Sequence, residues 1–299
     1  MINPHTGELA AIGVAIVWTI TALAFEYSAN LVGSLNVNLI RLPLALIYLT
    51  IFNYFTRNYA LPVDATTHQW IWLTVSGIVG FVIGDMFLLK SFMLIGSRFS
   101  MLIMTLVPPL TAFISWVFLN EKLMFYGFLG MCLTIVGILL AVNAHKDKES
   151  NKFSAKSIKG ILFAIGGAIG QSFGLVLSKI GMGDYNAFAA SQIRILAGIF
   201  GFITIIILMR RINNIIPALK NKQGMKGIII GSFFGPFIGV SLSLYSIQHV
   251  RNTGVASTIM AIVPILIIIP SVFIFKQKIT KTEVIATFLS VIGVALFFI

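Results

Sequence analysis

The chain contains ten apolar stretches, each long enough to cross a lipid bilayer, and this feature sets the class of fold. A spanning helix needs roughly 20 apolar residues to cross about 30 Å of hydrocarbon. Hydrophobic residues make up 58% of the 299 residues and charged residues 10%, and the mean hydropathy is +0.99. Soluble domains average about 25% charged residues, so we predict an all-α, multi-pass protein of the cell membrane. The predicted spans are residues 8–27, 35–56, 70–95, 99–119, 123–143, 157–179, 187–209, 225–246, 252–275 and 282–299.

The second half of the chain repeats the first in almost constant register. Seven residues between 7 and 16 recur between 160 and 169 at an offset of 153 residues. Gly80 and Gly84 recur at an offset of 155, and Pro108 recurs as Pro264 at an offset of 156. Chance similarity between apolar helices does not easily keep one register over five helices. The pattern predicts two five-helix repeats, residues 1–145 and 157–299.

An odd number of helices in each repeat has a consequence for topology. The second repeat must enter the membrane in the opposite sense to the first, so the fold class is ten transmembrane helices arranged as two inverted five-helix repeats. Inverted repeats of this kind are typical of secondary transporters, whose substrate site lies near the midplane between the halves. Two similar halves of opposite orientation can exchange conformations and so open the site to either side in turn.

Several short motifs make the chain similar to a known family. They are Arg41 and Arg194 early in the second helix of each repeat, Leu106-Val107-Pro108, Asn120-Glu121-Lys122-Leu123 and Ile135-Val136-Gly137. Together they resemble the EamA-type domain of the drug/metabolite transporter superfamily, in two tandem copies that cover nearly the whole chain. The second copy departs from the pattern, since Gln277 stands where Glu121 would be repeated. The resemblance implies ten helices, a central cavity, and export or exchange of small metabolites such as amino acids.

Ionisable residues within the spans are the strongest candidates for substrate binding or coupling, because a charge in the membrane is costly and faces the bundle interior. Asp85 is predicted to lie roughly 4 Å from the midplane at about 1.5 Å rise per residue, in the same half of the membrane as Arg41, Lys90 and Glu26. One interpretation is a binding site or a proton-carrying carboxylate. The other is a static ion pair of Asp85 with Arg41 or Lys90. For Asp85 we favour the first, because Val240 takes its place in the second repeat.

Uncharged polar residues from both repeats are further candidates for the cavity wall. Trp18 matches Gln171 in the repeat, Tyr245 matches Lys90, and Ser241 follows Val240. The competing interpretation for a serine is a hydrogen bond to its own helix backbone.

Prolines interrupt the equivalent helices four and nine. Proline removes a backbone donor and bends a helix, and bends in matching helices point to gates. Pro108 and Pro264 are therefore predicted to take part in gating, with fixed kinks as the alternative. The Gly80-x-x-x-Gly84 motif and its repeat permit close helix packing, inside the chain or in a homodimer.

The sequence contains none of the common enzyme motifs, such as His-Glu-x-x-His, a phosphate loop or Gly-x-Ser-x-Gly. We therefore expect no enzymatic activity, no cofactor and no metal site. The expected partners are a small-molecule substrate and membrane lipids, and a homodimer stays open. The basic charge balance is assigned to loops at anionic headgroups, with no nucleic acid. A channel or an embedded binding protein is the alternative to a carrier.

The orientation in the membrane is open, because two indicators conflict. Fourteen of the 21 lysines and arginines lie on the side opposite the termini and four on the terminal side, with Arg41, Lys90 and Arg194 inside the membrane. The positive-inside rule then places the termini outside the cell, whereas the family resemblance implies cytoplasmic termini. A reporter active only in the cytoplasm and fused after Ile299 should be silent if the loop charges decide, and bright if the family orientation holds.

Overall fold

The computed structural model describes residues 6–119, 125–144, 154–249, 256, 259–276 and 280–296, and all regular secondary structure in these ranges is helical. The motif at residues 120–123 and Gln277 lie outside the described residues. A short helix, Ile215–Lys220, lies between the seventh and eighth long helices. The principal helices are α1 (Thr6–Val32), α2 (Ser34–Arg57), α3 (Thr67–Ile95), α4 (Ser97–Phe118), α5 (Phe125–Ala144), α6 (Ala155–Met182), α7 (Ala187–Leu208), α8 (Lys222–His249), α9 (Val263–Phe275) and α10 (Lys281–Leu296).

Eight of these helices, α1 to α8, are long and apolar enough to cross a membrane. Helix α9 is a shorter apolar helix, and α10 has 16 residues. The span predicted at 252–275 is broken in the structure, since a turn at residues 261–262 precedes Pro264. Proline at the first turn of a helix is tolerated because its missing N–H has no partner there, so a new helix begins at Val263. Within the described residues, the structure thus shows a multi-pass, all-helical protein in which eight of the ten predicted spans are full-length helices.

Polar side chains cap the N-terminal ends of several helices. Thr66 and Gln69 form a capping box at the start of α3, in which each side chain bonds the other residue's backbone N–H. Ser154, Asn186 and Asn221 accept hydrogen bonds from the first turns of α6, α7 and α8. Such caps satisfy amide groups that the helix itself leaves without partners. They allow short connections and keep neighbouring helices adjacent.

The helices of the two halves pack against each other in matched pairs. Helix α1 packs on α8. The repeat relates α1 to α6 and α3 to α8, and the matching pair, α6 and α3, also packs together. Helix α2 packs on its own repeat α7, and α5 packs on its repeat α10. The halves therefore form one interlocked bundle rather than two separate ones, and the middle of that bundle is lined from both halves.

A π-helical segment interrupts α3 and a second one interrupts α8 at the equivalent position. They cover Ile78–Gly84 and Phe233–Gly239, which are seven residues each. The N–H groups of Asp85 and Val240 end them by donating to the carbonyls of Gly80 and Gly235. Single π turns inside α-helices occur frequently at functional sites. The hydropathy pattern gave no indication of either segment, because the apolar run continues through both.

Close approach of α3 and α6 depends on glycines, and this leads to a prediction. A Cβ atom added at Gly170 would lie 2.7 Å from the Cα of Gly84, closer than packing permits. We expect Gly170→Ala to destabilise the protein by about 1–3 kcal/mol through overpacking. The matched control is Gly13→Ala, whose Cβ would meet only Leu242 Cδ1, at 3.8 Å. Thermal unfolding in detergent should show a lower midpoint for the first variant and an equal or higher midpoint for the second, since alanine favours helix. Equal midpoints for the two variants would contradict the close contact.

Candidate functional site

A cavity of about 160 Å³ lies in the middle of the bundle, between the two halves. Among the described residues, its wall includes side chains from α1 to α4 and from α6 to α9, with none from α5 or α10. Most of the wall is apolar or aromatic, as at Phe25, Phe81 and Phe92. Such a chamber, with a few polar groups in an apolar wall, is the usual form of a small-molecule site.

The polar centre of the cavity is built around Asp85, which lies directly after the π segment of α3 and is 5% exposed. Arg41 of α2 forms a salt bridge with its Oδ2 atom, and Gln171 of α6 donates a hydrogen bond to its Oδ1 atom. Asn38 of α2 bonds both members of this salt bridge. Its amide donates to the backbone carbonyl of Asp85 at 3.4 Å, and its Oδ1 accepts from Arg41 Nε at 3.0 Å. Two neighbouring helices, α2 and α6, thus hold the carboxylate of α3, and each of its oxygens accepts a hydrogen bond.

A second arginine, Arg194 of α7, also lines the cavity and is 3% exposed. Its guanidinium lies over the ring of Phe81, at 5.0 Å from the centroid, and that ring is also 5.8 Å from the guanidinium carbon of Arg41. Cation–π attraction of this kind partly offsets the cost of burying a cation. Within the described wall, two guanidinium groups therefore face one carboxylate.

The structure brings six of the nine predicted site residues to the cavity wall: Trp18, Arg41, Asp85, Pro108, Gln171 and Pro264. Their proposed roles in binding, coupling and gating stay predictions.

The other three predicted residues do not line the cavity. Lys90 is exposed, because five residues along an α-helix turn a side chain by about 140° away from Asp85. The same step separates Tyr245 from Val240, and Tyr245 stacks on His249 with ring centroids 4.0 Å apart. Ser241 is fully buried, but it lies outside the wall, and its hydroxyl has no hydrogen-bond partner among the described residues. Of the two partners considered for Asp85, the structure therefore shows Arg41 and not Lys90.

Glu26, the fourth charge predicted in this half of the membrane, does not line the cavity. Its Oε2 atom accepts a hydrogen bond of 2.7 Å from the backbone N–H of Ser97, at the first turn of α4. A carboxylate in this position satisfies a free amide and interacts favourably with the helix dipole. Gly96, with φ of 80°, makes the sharp turn that presents this helix start to α1. Glu26 therefore joins α1 to the turn between α3 and α4.

Sequence reasoning missed three features of the wall: Arg194 as a cavity residue, the two π segments, and Val240 facing the same space. The repeat contained a signal for the first, since Arg194 matches Arg41. No local pattern in the sequence indicated that Arg194, unlike Arg41, would have no salt bridge to a described residue.

On the terminal side of the cavity, an apolar cluster joins the two halves. Ala11 and Val14 of α1 pack with Ile247 of α8 and with Met260. At the same face, Asp64 in the connection between α2 and α3 forms a salt bridge with Arg57 and accepts a hydrogen bond of 2.9 Å from the hydroxyl of Tyr185, in the connection between α6 and α7. The first and second halves are thus linked there by apolar and polar contacts.

The hydroxyl of Tyr185 should lose its proton at a higher pH than an ordinary tyrosine. Partial burial, reinforced by its hydrogen bond to Asp64, raises the pKa of Tyr185 from 10.0 to about 12. Because the folded pKa lies above the unfolded one, the contribution of the neutral tyrosine is complete below pH 10 and is lost as the pH rises towards 12. The difference in tyrosinate absorbance between the wild type and Tyr185→Phe should therefore appear only near pH 12. A difference already complete at pH 10 would contradict the contact.

Comparison with known proteins agrees with this architecture. The model of the EamA-like transporter family matches residues 5–143 and again residues 158–299. A curated relative from Buchnera aphidicola subsp. Schlechtendalia chinensis, named as an uncharacterized transporter in the trpA 3' region, is 24% identical over 274 residues, which are 89% of this chain and 84% of that protein. A solved crystal structure shares the fold with a TM-score of 0.65 at 17% identity, covering 97% of this chain and 96% of its own. The chain belongs to the EamA-like transporter family and is a membrane transporter, not an enzyme.

Proposed function

We propose that the protein is a secondary transporter of the cell membrane that exports or exchanges small organic metabolites by alternating access. The observation that carries this proposal is the central cavity, whose wall is built from equivalent helices of both halves. Motion of one half against the other changes the side from which such a cavity is open, while the binding site itself stays in place. Family membership supports the transport function.

The proposed topology is ten spanning helices in two inverted repeats. The matched packing pairs α1–α8 and α6–α3, and the matched π segments, support an approximate two-fold relation between the halves. Because each repeat has five helices, the axis of that relation lies in the membrane plane. An experimental structure whose halves superpose only about the membrane normal would contradict this topology.

Two structural features support a gated path. The apolar cluster of Ala11, Val14 and Ile247 packs together on the terminal side of the cavity, and we propose that it is the contact that separates when this side opens. Pro108 and Pro264 lie in the wall at equivalent breaks, since a 3₁₀ turn at Met104–Leu106 precedes the first, and the turn at residues 261–262 precedes the second. Helix breaks of this kind provide hinge points. In the proposed cycle, the segments beyond these prolines swing while the polar centre stays in place.

Counterflow in proteoliposomes tests the carrier against the channel or embedded binding protein. Purified protein is first screened by thermal shift against amino acids, nucleosides and amines, since a ligand stabilises the state it binds. The most stabilising compound is then loaded inside the vesicles at high concentration, and uptake of its labelled form is measured. A carrier shows a transient accumulation of label above equilibrium. Simple equilibration supports a channel, and no uptake despite binding supports an embedded binding protein.

A further inference from the structure

We propose that the central cavity binds a small organic anion whose carboxylate is held by the guanidinium of Arg194. This inference rests on the proposed transporter function, because it names the chemical class of its substrate. Its starting point is a buried cation that has no salt bridge to a described residue. The charge of Asp85 acts on Arg194, but the salt bridge of Asp85 is made with Arg41. Arg194 makes no hydrogen bond or ion pair with any described residue, and its buried Nε atom has no partner. A buried, unpaired charge is strongly unfavourable, so a group that supplies the missing anion gains that free energy on binding.

The repeat explains why this arginine is unpaired. In the first half, Arg41 of α2 forms its salt bridge with Asp85, the residue that follows the π segment of α3. In the second half, Arg194 occupies the place of Arg41, and Val240 follows the equivalent π segment. Val240 lines the cavity. The scaffold therefore has two arginine positions and one carboxylate, and the vacant role is that of an anion near Val240.

The remaining polar groups of the wall make an anion a better ligand than a cation. Both oxygens of Asp85 are already bonded, by Arg41 and by Gln171, so no free carboxylate in the described wall faces an incoming amine. The hydroxyls of Thr21 and Ser243 donate to carbonyls of their own helices. Arg194 is therefore the principal free donor. Its planar guanidinium can bond both oxygens of a carboxylate at once.

The shape of the wall indicates the rest of the ligand. Phe25 and Phe92, which belong to one apolar cluster, line the cavity together with Trp18 and Leu175. Aromatic and aliphatic walls favour a ligand with an apolar body. The proposed class is therefore a small monocarboxylate with an aliphatic or aromatic group, either a simple carboxylate or an amino acid.

Matched probes test the charge requirement on the full-length protein in detergent. The probes are 3-phenylpropionate, its neutral amide 3-phenylpropanamide, and the cation 2-phenylethylamine, together with butyrate and L-phenylalanine. At a hundredfold excess over Kd, a carboxylate should raise the melting midpoint by about 5 °C. The amide, the amine and an equal concentration of sodium chloride should leave it unchanged. No shift with any of the three carboxylates, or an equal shift with the amide, would overturn the proposal.

The variant Arg194→Gln separates an anion site from a structural arginine. We expect it to abolish the carboxylate-induced shift and to leave the midpoint of the ligand-free protein unchanged or higher, because a buried unpaired charge has been removed. Arg194→Lys should retain part of the shift. The matched control is Arg41→Gln, which breaks an existing salt bridge and should lower the ligand-free midpoint. If Arg194→Gln lowered that midpoint as much as Arg41→Gln does, Arg194 would be a structural residue and the proposal would fail.

Binding and transport are measured independently, so the two proposals can fail separately. A carboxylate-specific shift that depends on Arg194, without counterflow, would refute alternating access and keep the anion site. Counterflow of an amine or a neutral compound, without any effect of Arg194→Gln, would keep the carrier and refute the anion site.

Discussion

Replacing Asp85 with asparagine should lower the free energy of unfolding by about 3–5 kcal/mol, the usual effect of removing one partner of a buried ion pair. The carboxylate is 5% exposed, and its oxygens accept from Arg41 and from Gln171. An asparagine amide offers one oxygen, and its NH₂ group would face a donor. Two guanidinium groups, of Arg41 and Arg194, would then share the cavity with no anion in its described wall. Thermal unfolding in detergent and the yield of folded protein measure the loss.

The control for this prediction also removes the charge of Arg41, the salt-bridge partner of Asp85. The double variant Asp85→Asn/Arg41→Gln leaves no unpaired charge at this pair and should recover most of the lost stability, as a double-mutant cycle measures. A second role of Asp85, in carrying a proton or coupling transport to a gradient, stays a prediction. It would be supported if Asp85→Asn kept the wild-type midpoint but lost gradient-driven transport or its pH dependence. Unchanged stability and transport at every pH would remove both roles.

Introducing a carboxylate at position 240 should have the second large effect. Val240→Asp places an acid in the second half where Asp85 stands in the first, next to the same kind of π segment. We expect it to pair with Arg194 and to occupy the role of the substrate anion. Loss of charge-assisted hydrogen bonds worth about 1.5–3 kcal/mol corresponds to roughly ten- to hundredfold weaker carboxylate binding. Titration with 3-phenylpropionate, followed by thermal shift, measures the change.

Val240→Asn is the matched control, because asparagine has nearly the size and polarity of aspartate but carries no charge. It should keep the carboxylate-induced shift that Val240→Asp loses. The ligand-free midpoint of Val240→Asp should stay near that of the wild type, since a new buried pair roughly offsets its own desolvation. Equal carboxylate binding by both variants would show that Val240 and Arg194 do not share one anion position.

Both predictions depend on a difference between two otherwise matched halves, and the sequence showed only part of it. The repeat identified Arg41 with Arg194 and revealed that Val240 stands in place of Asp85. It left open whether Asp85 pairs with Arg41 or with Lys90. The structure decides for Arg41, because Lys90 turns to the exposed side of α3.

The sequence by itself determined the class of the protein and its internal repeat. Burying an apolar run of about 20 residues requires a helix in the membrane whatever its neighbours are, so hydropathy alone placed α1 to α8. The π segments, the unpaired Arg194 and the short α9 were decided only by tertiary structure. Each depends on which helices touch and how each helix is rotated about its axis. Those properties arise from packing between residues far apart in the chain, on which a local pattern of apolar residues has no bearing.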